Sequence, residues 1–301
     1  MLTRLASQPI ALLLFTGSLF GMTFPLGKVA GASGVPPLLW VMVISAGAVL
    51  FLGPNLWLRG DLRLPRGKAL PYVLISGLMS FALVNALILF LMPILGAGQV
   101  GLMFALSPVV TLALSVAFGI KGTGRLGMIG IGFGLLGAAM VAIGKSGFGA
   151  ISGYALVGLS LPLILAMGNV YRTLYWPEGA HVATLAFWSH LAALMAVALV
   201  QVTSFGSLSL APLFDVPIVT GLQLVAAAFT FPAYFKLQQV GGPVLLSQIG
   251  YVAAAIALIS GTAFLGEVYS LQTWAGAGII LLGITLTILA QSSVSLRLKR
   301  V

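Results

Sequence analysis

The sequence predicts an all-α membrane protein with ten transmembrane helices, and three observations lead to that fold class. Of the 301 residues, 60% are hydrophobic and only 6% are charged, and the mean hydropathy is +1.17. Soluble domains carry about a quarter charged residues, so most of this surface cannot face water. The apolar residues form runs long enough to cross a bilayer. The basic residues concentrate in every second gap between those runs, as expected for alternating sides of a membrane.

Short connections of Gly, Pro or charged residues separate the ten predicted spans. Residues 9–29 form the first span: Arg4 precedes an apolar run of about 20 residues, and no cleavage site typical of a signal peptide interrupts it. Because backbone groups in hydrocarbon must bond within their own segment, runs of this length are helices. The remaining spans are 36–58, 70–92, 97–118, 126–144, 151–172, 182–203, 216–235, 243–264 and 271–292.

The positions of Lys and Arg predict the orientation of these helices. Ten spans place both termini on one side of the membrane, and the excess of basic residues identifies that side as the cytoplasm. Only Lys28 and Lys145 fall on the outer side. The cytoplasmic set is Arg4, Arg59, Arg63, Arg66, Lys68, Lys121, Arg125, Arg172, Lys236, Arg297, Lys299 and Arg300. This bias explains the net charge of +10 without a nucleic-acid partner.

The two halves of the chain are predicted to be repeats, with one unit at residues 1–146 and the other at 147–301. Five helices per unit is an odd number, so the second unit must insert in the opposite orientation. Secondary transporters use such inverted repeats, with the substrate site between them near the bilayer midplane. At a constant offset of 146, the matched pairs are Gly96 and Gly242, Phe118 and Phe264, Gly130 and Gly276, and Gly137 and Gly283.

Three motifs resemble those of drug/metabolite transporters of the EamA type. Residues 21–28, G-M-T-F-P-L-G-K, are similar to the family's W-G-x-x-x-P-x-x-K opening, with Phe20 where Trp is usual. Residues 105–111, A-L-S-P-V-V-T, are similar to its A-L-x-P-x-x-T segment. Residues 264–267, F-L-G-E, with Gly276 and Gly283 after them, are similar to its L-G-E…G…G ending. The resemblance covers the whole chain and implies export of small metabolites, amino acids or drugs, usually driven by a cation gradient.

Polar side chains within the predicted helices are candidates for a substrate cavity, since polar groups in hydrocarbon cost free energy unless they are paired. The resemblance implies that helices 1, 3, 4, 6, 8 and 9 surround that cavity. The alternative for each residue is a packing bond to a neighbouring helix, worth about 0.6 kcal/mol, or, for Lys28, a side chain that reaches the outer headgroups. The candidates are Phe24, Lys28, Asn85, Gln99, Ser107, Asn169, Tyr171, Tyr234, Gln248 and Tyr251.

Two further residues are candidates for coupling transport to protons. His190 has the side chain that most readily exchanges a proton near neutral pH. Its helix is expected at the periphery, however, where a packing role is favoured. Glu267 precedes the tenth helix, and a negative charge there stabilises the positive end of the helix; we favour that structural role over coupling. Pro25 and Pro108 are predicted to kink their helices, because proline removes a backbone hydrogen bond.

Glycine motifs within the helices are interpreted as packing sites. Gly132-x-Gly134-x-x-Gly137 matches the dinucleotide fingerprint as a string, but it lies inside an apolar helix instead of between a strand and a helix. Close helix packing is therefore the favoured reading. The same holds for Gly17-x-x-x-Gly21 and for Gly130-x-x-x-Gly134.

The sequence therefore predicts a secondary active exporter of small metabolites such as amino acids in the inner membrane, with no cofactor or metal. No Asp or Glu lies inside a predicted helix, which favours zwitterionic, neutral or anionic substrates over cations. The alternatives are a multidrug or cation efflux carrier, an intramembrane lipid-modifying enzyme, and a channel or scaffold. An enzyme needs clustered ionisable groups. The nearest such group, Arg172 with Glu178 and His181, is expected to form a solvated cytoplasmic connection.

Overall fold

The helices account for almost all of the described chain. The computed structural model describes residues 8–120, 124–146, 153–266 and 268–298. The helices are α1 (Pro9–Ala32), α2 (Pro37–Leu58), α3 (Ala69–Ile75), a π-helix (Ser76–Leu83), α4 (Val84–Ala105), α5 (Ser107–Ala117), α6 (Arg125–Ser146), α7 (Gly153–Gly158), α8 (Ser160–Leu174), α9 (Val182–Phe205), α10 (Ala211–Phe214), α11 (Pro217–Ser247), α12 (Ile249–Leu265) and α13 (Leu271–Leu298). The all-α prediction is confirmed for these residues.

Apolar helices occupy the positions at which the sequence predicts membrane spans. Six segments are long and apolar enough to cross a bilayer: Pro9–Ala32, Pro37–Leu58, Ala69–Leu91, Leu156–Leu174, Val182–Phe205 and Pro217–Ser247. Shorter apolar helices cover Ser107–Ala117, Arg125–Gly137, Ile249–Leu265 and Leu271–Thr287. Large apolar side chains such as Phe15, Leu50 and Leu199 are exposed on the outside of the bundle, where lipid would cover them. The chain is a multi-pass α-helical membrane protein.

Proline and glycine determine where several of these helices begin, end and bend. Prolines occupy the first turn of α1, α2, α5 and α11, where the missing N–H has no helical partner in any case. Pro108 follows a break in the helix at Leu106, so the predicted span 97–118 consists of two segments. Pro25 lies inside α1, which continues to Ala32. In α11, Gly242 has φ 70° and ψ −176° and kinks the helix.

The third predicted span contains a feature that hydrophobicity did not indicate. Residues 76–83 form a π-helix between α3 and α4. In a π-helix the backbone bonds to the fifth residue, which widens the turn, and such segments occur frequently at functional sites. Ser80 and Phe81 lie in this segment, and both are buried.

Backbone contacts between glycines hold α6 against α13. A Cβ atom added at Gly130 would lie 2.6 Å from the carbonyl oxygen of Gly283, and one added at Gly137 would lie 2.5 Å from that of Gly276. Any larger side chain would separate the two helices, so glycine is required at these close approaches. Of the residues in the predicted fingerprint, Gly134 and Gly137 pack against other helices, and Gly132 faces open space.

Another glycine pair brings α1 against α12. A Cβ at Gly17 would meet the side chain of Val252, and one at Gly21 would lie 2.8 Å from the carbonyl oxygen of Ala253. The packing role predicted for this motif agrees with these contacts.

The basic residues between α2 and α3 are exposed, whereas Arg172 is buried inside a helix. Arg59, Arg63, Arg66 and Lys68 lie exposed between α2 and α3. Arg172, which the sequence analysis assigned to a solvated connection, is instead completely buried in the last turn of α8. That assignment is wrong for Arg172, because its side chain turns back into the bundle instead of toward the helix end.

Candidate functional site

A cavity lies in the centre of the bundle, where α1, the π-helix, α4, α5, α8, α11 and α12 meet. This central cavity has an empty volume of about 470 Å³, including the space through which it opens. Its walls are mainly apolar and aromatic, with a few polar groups, as is usual for sites that bind small molecules. It is lined by Phe20, Ser80, Phe81, Val84, Asn85, Phe104, Ser107, Leu165, Asn169, Phe231, Tyr234, Leu246, Ser247, Ile249 and Gly250.

A second cavity adjoins the first between α1, α2 and α4. This side cavity has an empty volume of about 390 Å³ and shares Phe20 and Asn85 with the central cavity. Its remaining lining residues are Thr23, Phe24, Gly27, Trp40, Ile44, Ile88 and Leu89. The indole Nε1 of Trp40 is buried without a hydrogen-bond partner among the described residues. A donor in this state can bind an acceptor on a molecule that enters the cavity.

Phe20 stands at the junction of the two cavities. Its ring stacks on that of Phe104 with centroids 5.8 Å apart and an angle of 17° between the planes. Its ring also meets the Phe24 ring edge-on, at 6.2 Å. Three aromatic rings therefore connect the wall of the central cavity with that of the side cavity.

Arg172 lies behind the polar part of the central cavity wall. Its Nη1 donates a hydrogen bond to Ser80 Oγ. Its Nη2 donates to Asn169 Oδ1 at 2.6 Å and to the Tyr234 hydroxyl, also at 2.6 Å. The guanidinium also lies 5.1 Å from the centroid of the Tyr234 ring and 5.7 Å from that of Phe81, within the range of cation–π attraction. All four of these partners line the cavity.

A second layer of contacts holds this arrangement in place. The side-chain amide of Gln238 donates to the backbone oxygen of Asn169 at 3.1 Å and to Thr173 Oγ1 at 2.5 Å. Gly168 provides the space for Ser80, because a Cβ at Gly168 would occupy the position of the Ser80 hydroxyl. The orientation of Asn169 and Ser80 is therefore fixed by their neighbours as well as by the guanidinium.

No acidic residue in the described part of the chain balances the charge of Arg172. The described acidic residues are Asp61, Glu178 and Asp215, and all three are exposed in connections between helices. Nε of the guanidinium has no hydrogen-bond partner among the residues that the structure describes. A guanidinium does not lose its proton in a protein, so among the described side chains this buried charge is stabilised by neutral oxygen atoms and aromatic rings.

His190 lies directly behind the aromatic part of the same wall. Its ring centroid is 4.1 Å from that of Phe81 and 3.8 Å from that of Phe231. Its Nδ1 is 3.4 Å from Ser45 Oγ, and Nε2 has no hydrogen-bond partner among the described residues. The side chain is completely buried and packs against rings of the cavity wall, as the predicted packing role requires, and α9 itself contributes no lining residue to either cavity. A role of His190 in coupling stays a prediction.

Several sequence candidates lie at the cavities. Asn85 lines both of them and donates from Nδ2 to the Phe81 backbone oxygen at 2.7 Å. Ser107, Asn169 and Tyr234 line the central cavity, and Phe24 lines the side cavity. Their role in binding a substrate stays a prediction.

Other candidates lie away from the cavity walls. Tyr251 packs against Gly134 of α6, and its hydroxyl donates to the Ile131 backbone oxygen at 3.3 Å. Tyr171 stacks between Tyr72 and Tyr175, with centroids 6.0 Å and 5.0 Å away. Lys28 is exposed near the end of α1.

The three remaining candidates are one buried amide and two side chains that lie outside the described residues. Gln248 is buried, and neither end of its amide has a hydrogen-bond partner among the described residues. The side chain of Gln99 and the whole of Glu267 lie outside the described residues.

Two residues at the polar part of this site, Arg172 and Ser80, were not among the cavity residues predicted from the sequence. A signal for Arg172 was present: it follows Asn169 by three positions, so the two side chains share a face of one helix. No corresponding signal marks Ser80, because its orientation depends on the π-helix. The assembled groups are suited to binding and orienting a small molecule, and no group of three or more metal-ligating side chains occurs among the described residues.

Comparisons with known proteins agree with this architecture. The sequence model of the EamA-like transporter family matches residues 8–143. The uncharacterized inner membrane transporter YedA of Escherichia coli K12 is 28% identical over 269 residues, which cover 87% of this chain and 84% of that protein. YedA of the O157:H7 strain gives the same values. A solved crystal structure superposes with a TM-score of 0.71 at 18% identity and covers 94% of this chain and 98% of its own. This structural match supports the fold alone.

Proposed function

We propose that the chain is a secondary active transporter of the EamA-like type that moves small molecules across the inner membrane, because the model of that family matches residues 8–143 and an inner membrane transporter is 28% identical. The observation that carries the proposal is the central cavity, which is lined by helices from both halves of the chain. A cavity built this way changes shape when one half of the bundle moves against the other. Such movement can expose one site to each side of the membrane in turn.

In this proposal the chain forms ten membrane helices in two inverted units, residues 1–146 and 147–301, with both termini in the cytoplasm. The contacts between α6 and α13 support the repeat. Moving Gly130 and Gly283 by the offset of 146 residues gives Gly276 and Gly137, which are the partners of the other close contact. The offset thus maps the contact between Gly130 and Gly283 onto the contact between Gly276 and Gly137, as a two-fold axis between the two units requires.

A second pair of contacts supports the same symmetry. Gly47 of α2 meets the Leu224 oxygen of α11, and Gly77 of the π-helix meets the Ser189 oxygen and Ala193 of α9. With the same offset, Gly47 and Leu224 become Ala193 and Leu78, so the first contact falls within one residue of the contact between Gly77 and Ala193; the Ser189 oxygen lies one helical turn from that position.

The proposed direction is export, and the proposed substrates are metabolites such as amino acids. The aromatic walls of the cavity and its few polar groups suit molecules of this kind. The described acidic residues are all exposed, so none of them offers a counter-charge to a lipophilic cation in the cavity.

Reconstitution in proteoliposomes tests the proposal. The purified chain would be assayed for uptake and counterflow of amino acids, nucleosides and cationic dyes, with and without a pH gradient. We expect saturable counterflow of at least one amino acid, which separates a carrier from a channel or scaffold. Dependence on the pH gradient tests protons as the coupling ion. Transport of the cationic dyes alone would contradict the proposed substrates, and the absence of saturable transport would contradict the carrier itself.

A further inference from the structure

Resting on the proposed transport function, we propose that the central cavity selects solutes that carry a carboxylate group, with Arg172 as the fixed counter-charge. The guanidinium is completely buried, and its hydrogen bonds go to neutral oxygen atoms of Ser80, Asn169 and Tyr234. A buried charge without an opposite charge costs several kcal/mol. Binding of an anion close to it recovers part of that cost, and binding of a cation increases it.

The hydroxyl groups between Arg172 and the cavity can transmit this charge to a ligand. Ser80 and Tyr234 both accept hydrogen bonds from the guanidinium and both line the cavity. A hydroxyl that accepts a bond from a cation becomes a stronger donor with its own proton. The Ser80 proton is thus available to an oxygen atom in the cavity. The Tyr234 hydroxyl donates a long hydrogen bond, 3.3 Å, to Asn169 Oδ1. It can donate its proton to a carboxylate in the cavity instead, if that long bond breaks.

The rest of the cavity indicates the size and charge of the solute. One guanidinium balances one negative charge, so a carboxylate matches the site better than a phosphate dianion, which would keep a second charge unbalanced in a medium of low dielectric constant. Phe20, Phe104 and Phe231 form an apolar wall suited to an aliphatic or aromatic side chain. The site therefore fits a small monocarboxylate with an apolar body, and zwitterionic amino acids belong to that class.

Matched acids and amides test this inference without changing the protein. Purified wild-type protein would be heated with phenylacetate or phenylacetamide, and with N-acetyl-leucine or N-acetyl-leucinamide. Each pair differs only at the carboxylate. Because a ligand that binds the folded state raises the unfolding temperature, we expect each acid to raise it more than its amide. Equal shifts within both pairs, including no shift at all, would overturn the inference, as would a larger shift with phenyl phosphate than with phenylacetate.

Variants of Arg172 assign the preference to that residue. We expect Arg172→Gln to reduce the affinity for the acids at least tenfold and to remove the acid-over-amide preference. Arg172→Lys, which keeps the charge, should keep the preference with an affinity a few-fold lower. Arg125→Gln, at an exposed arginine at the start of α6, is the matched control for loss of charge and should behave as wild type. An acid-over-amide preference that is unchanged in Arg172→Gln would overturn the assignment. If Arg172→Gln does not fold, the test depends on Arg172→Lys, and loss of the acid-over-amide preference in that variant would overturn the assignment.

Failure of this inference can be distinguished from failure of the transport function. Saturable transport of nucleosides or other solutes without a carboxylate, together with equal acid and amide shifts, would reject the carboxylate preference and leave the carrier in place. Acid-selective stabilisation without transport of any solute would reject the carrier and keep the binding preference.

Discussion

Asn169 is the residue on which the polar part of the central cavity depends most. Its Oδ1 accepts hydrogen bonds from both Arg172 and Tyr234, and its backbone oxygen accepts one from Gln238. Loss of the Asn169 side chain would leave the guanidinium with one fewer acceptor and the Tyr234 hydroxyl less well oriented. Its effect should therefore appear in substrate binding before it appears in folding.

We predict that Asn169→Ala lowers the initial rate of transport about tenfold, since a hydrogen bond to a charged group is worth about 1.5–3 kcal/mol and 1.4 kcal/mol corresponds to a factor of ten. Initial rates in proteoliposomes, at equal amounts of inserted protein, measure the effect. Tyr251→Phe is the control, because it removes a buried hydroxyl whose bond to Ile131 lies away from the cavity walls. Transport by Asn169→Ala at the rate of Tyr251→Phe would contradict the predicted role.

The comparison of Asn169 with Tyr251 also indicates what the sequence can and cannot predict about single residues. Both are polar side chains in apolar helices, and hydropathy treats them alike. Asn169 lines the cavity and Tyr251 points toward α6, because the rotation of each helix is determined by packing that involves residues far away in sequence. Arg172 was assigned to a connection because its position at a helix end resembles that of a loop charge. Only the fold brings it next to Ser80.

The elements are better predicted than the side chains, because long apolar runs leave few alternatives to a membrane helix. The errors occur where a helix departs from regular geometry. The π-helix at 76–83 and the break at Gln248 interrupt spans that hydropathy treats as continuous, whereas Pro108 marks the break at Leu106 in the sequence. Hydropathy averages over such runs, so it contains no information about local changes in hydrogen bonding.

We predict that Gly130→Ala destabilises the contact between α6 and α13 by about 1–3 kcal/mol, the usual cost of overpacking. The added methyl group would meet Thr287 and the Gly283 oxygen. Thermal unfolding in detergent measures the change. Gly132 lies on the same helix and faces open space, so Gly132→Ala should not lower the unfolding temperature and should raise it slightly, because Ala favours the helix by roughly 0.5–1 kcal/mol. Equal unfolding temperatures for Gly130→Ala and Gly132→Ala would show that the close contact between α6 and α13 does not contribute to the stability of the fold.

We predict that Gly242→Ala destabilises the bend of α11. Gly242 has φ 70° and ψ −176°, a backbone conformation that is adopted almost only by glycine and that costs a residue with a Cβ roughly 1–3 kcal/mol. The same unfolding assay applies, with Gly221→Ala as the control. Gly221 lies in the same helix and has open space around it. A Gly242→Ala variant as stable as its control would mean that the bend is not needed in the folded protein.

On the scale of the whole molecule, the orientation in the membrane can be tested directly because the chain contains no cysteine. We predict that Ser33→Cys and Ser209→Cys react with an impermeant thiol reagent added to intact cells. Asp61→Cys and Glu178→Cys should react only after the membrane is opened. All four positions are exposed, so differences in labelling report the side of the membrane. Labelling of all four in intact cells would contradict the topology.

The all-α membrane architecture was accessible from the sequence because it follows from composition and from the length of the apolar runs, whereas the two inverted units and their orientation stay predictions. The inverted repeat was suggested by glycines matched at a constant offset, and two of those pairs occupy the contact between α6 and α13. The identity of the transported molecule was less accessible, since it depends on which side chains converge on one cavity.

The glycine contacts between α6 and α13 also limit how the protein can move. Gly130 and Gly137 are seven residues apart, about 10 Å along the helix, and at both points backbone touches backbone. Sliding the helices past each other would drive larger side chains into those contacts, whereas tilting about the crossing leaves them intact. The contact between α6 and α13 can therefore serve as a fixed axis about which the two helices tilt. A tilt that widens the bundle at one face of the bilayer then narrows it at the other face.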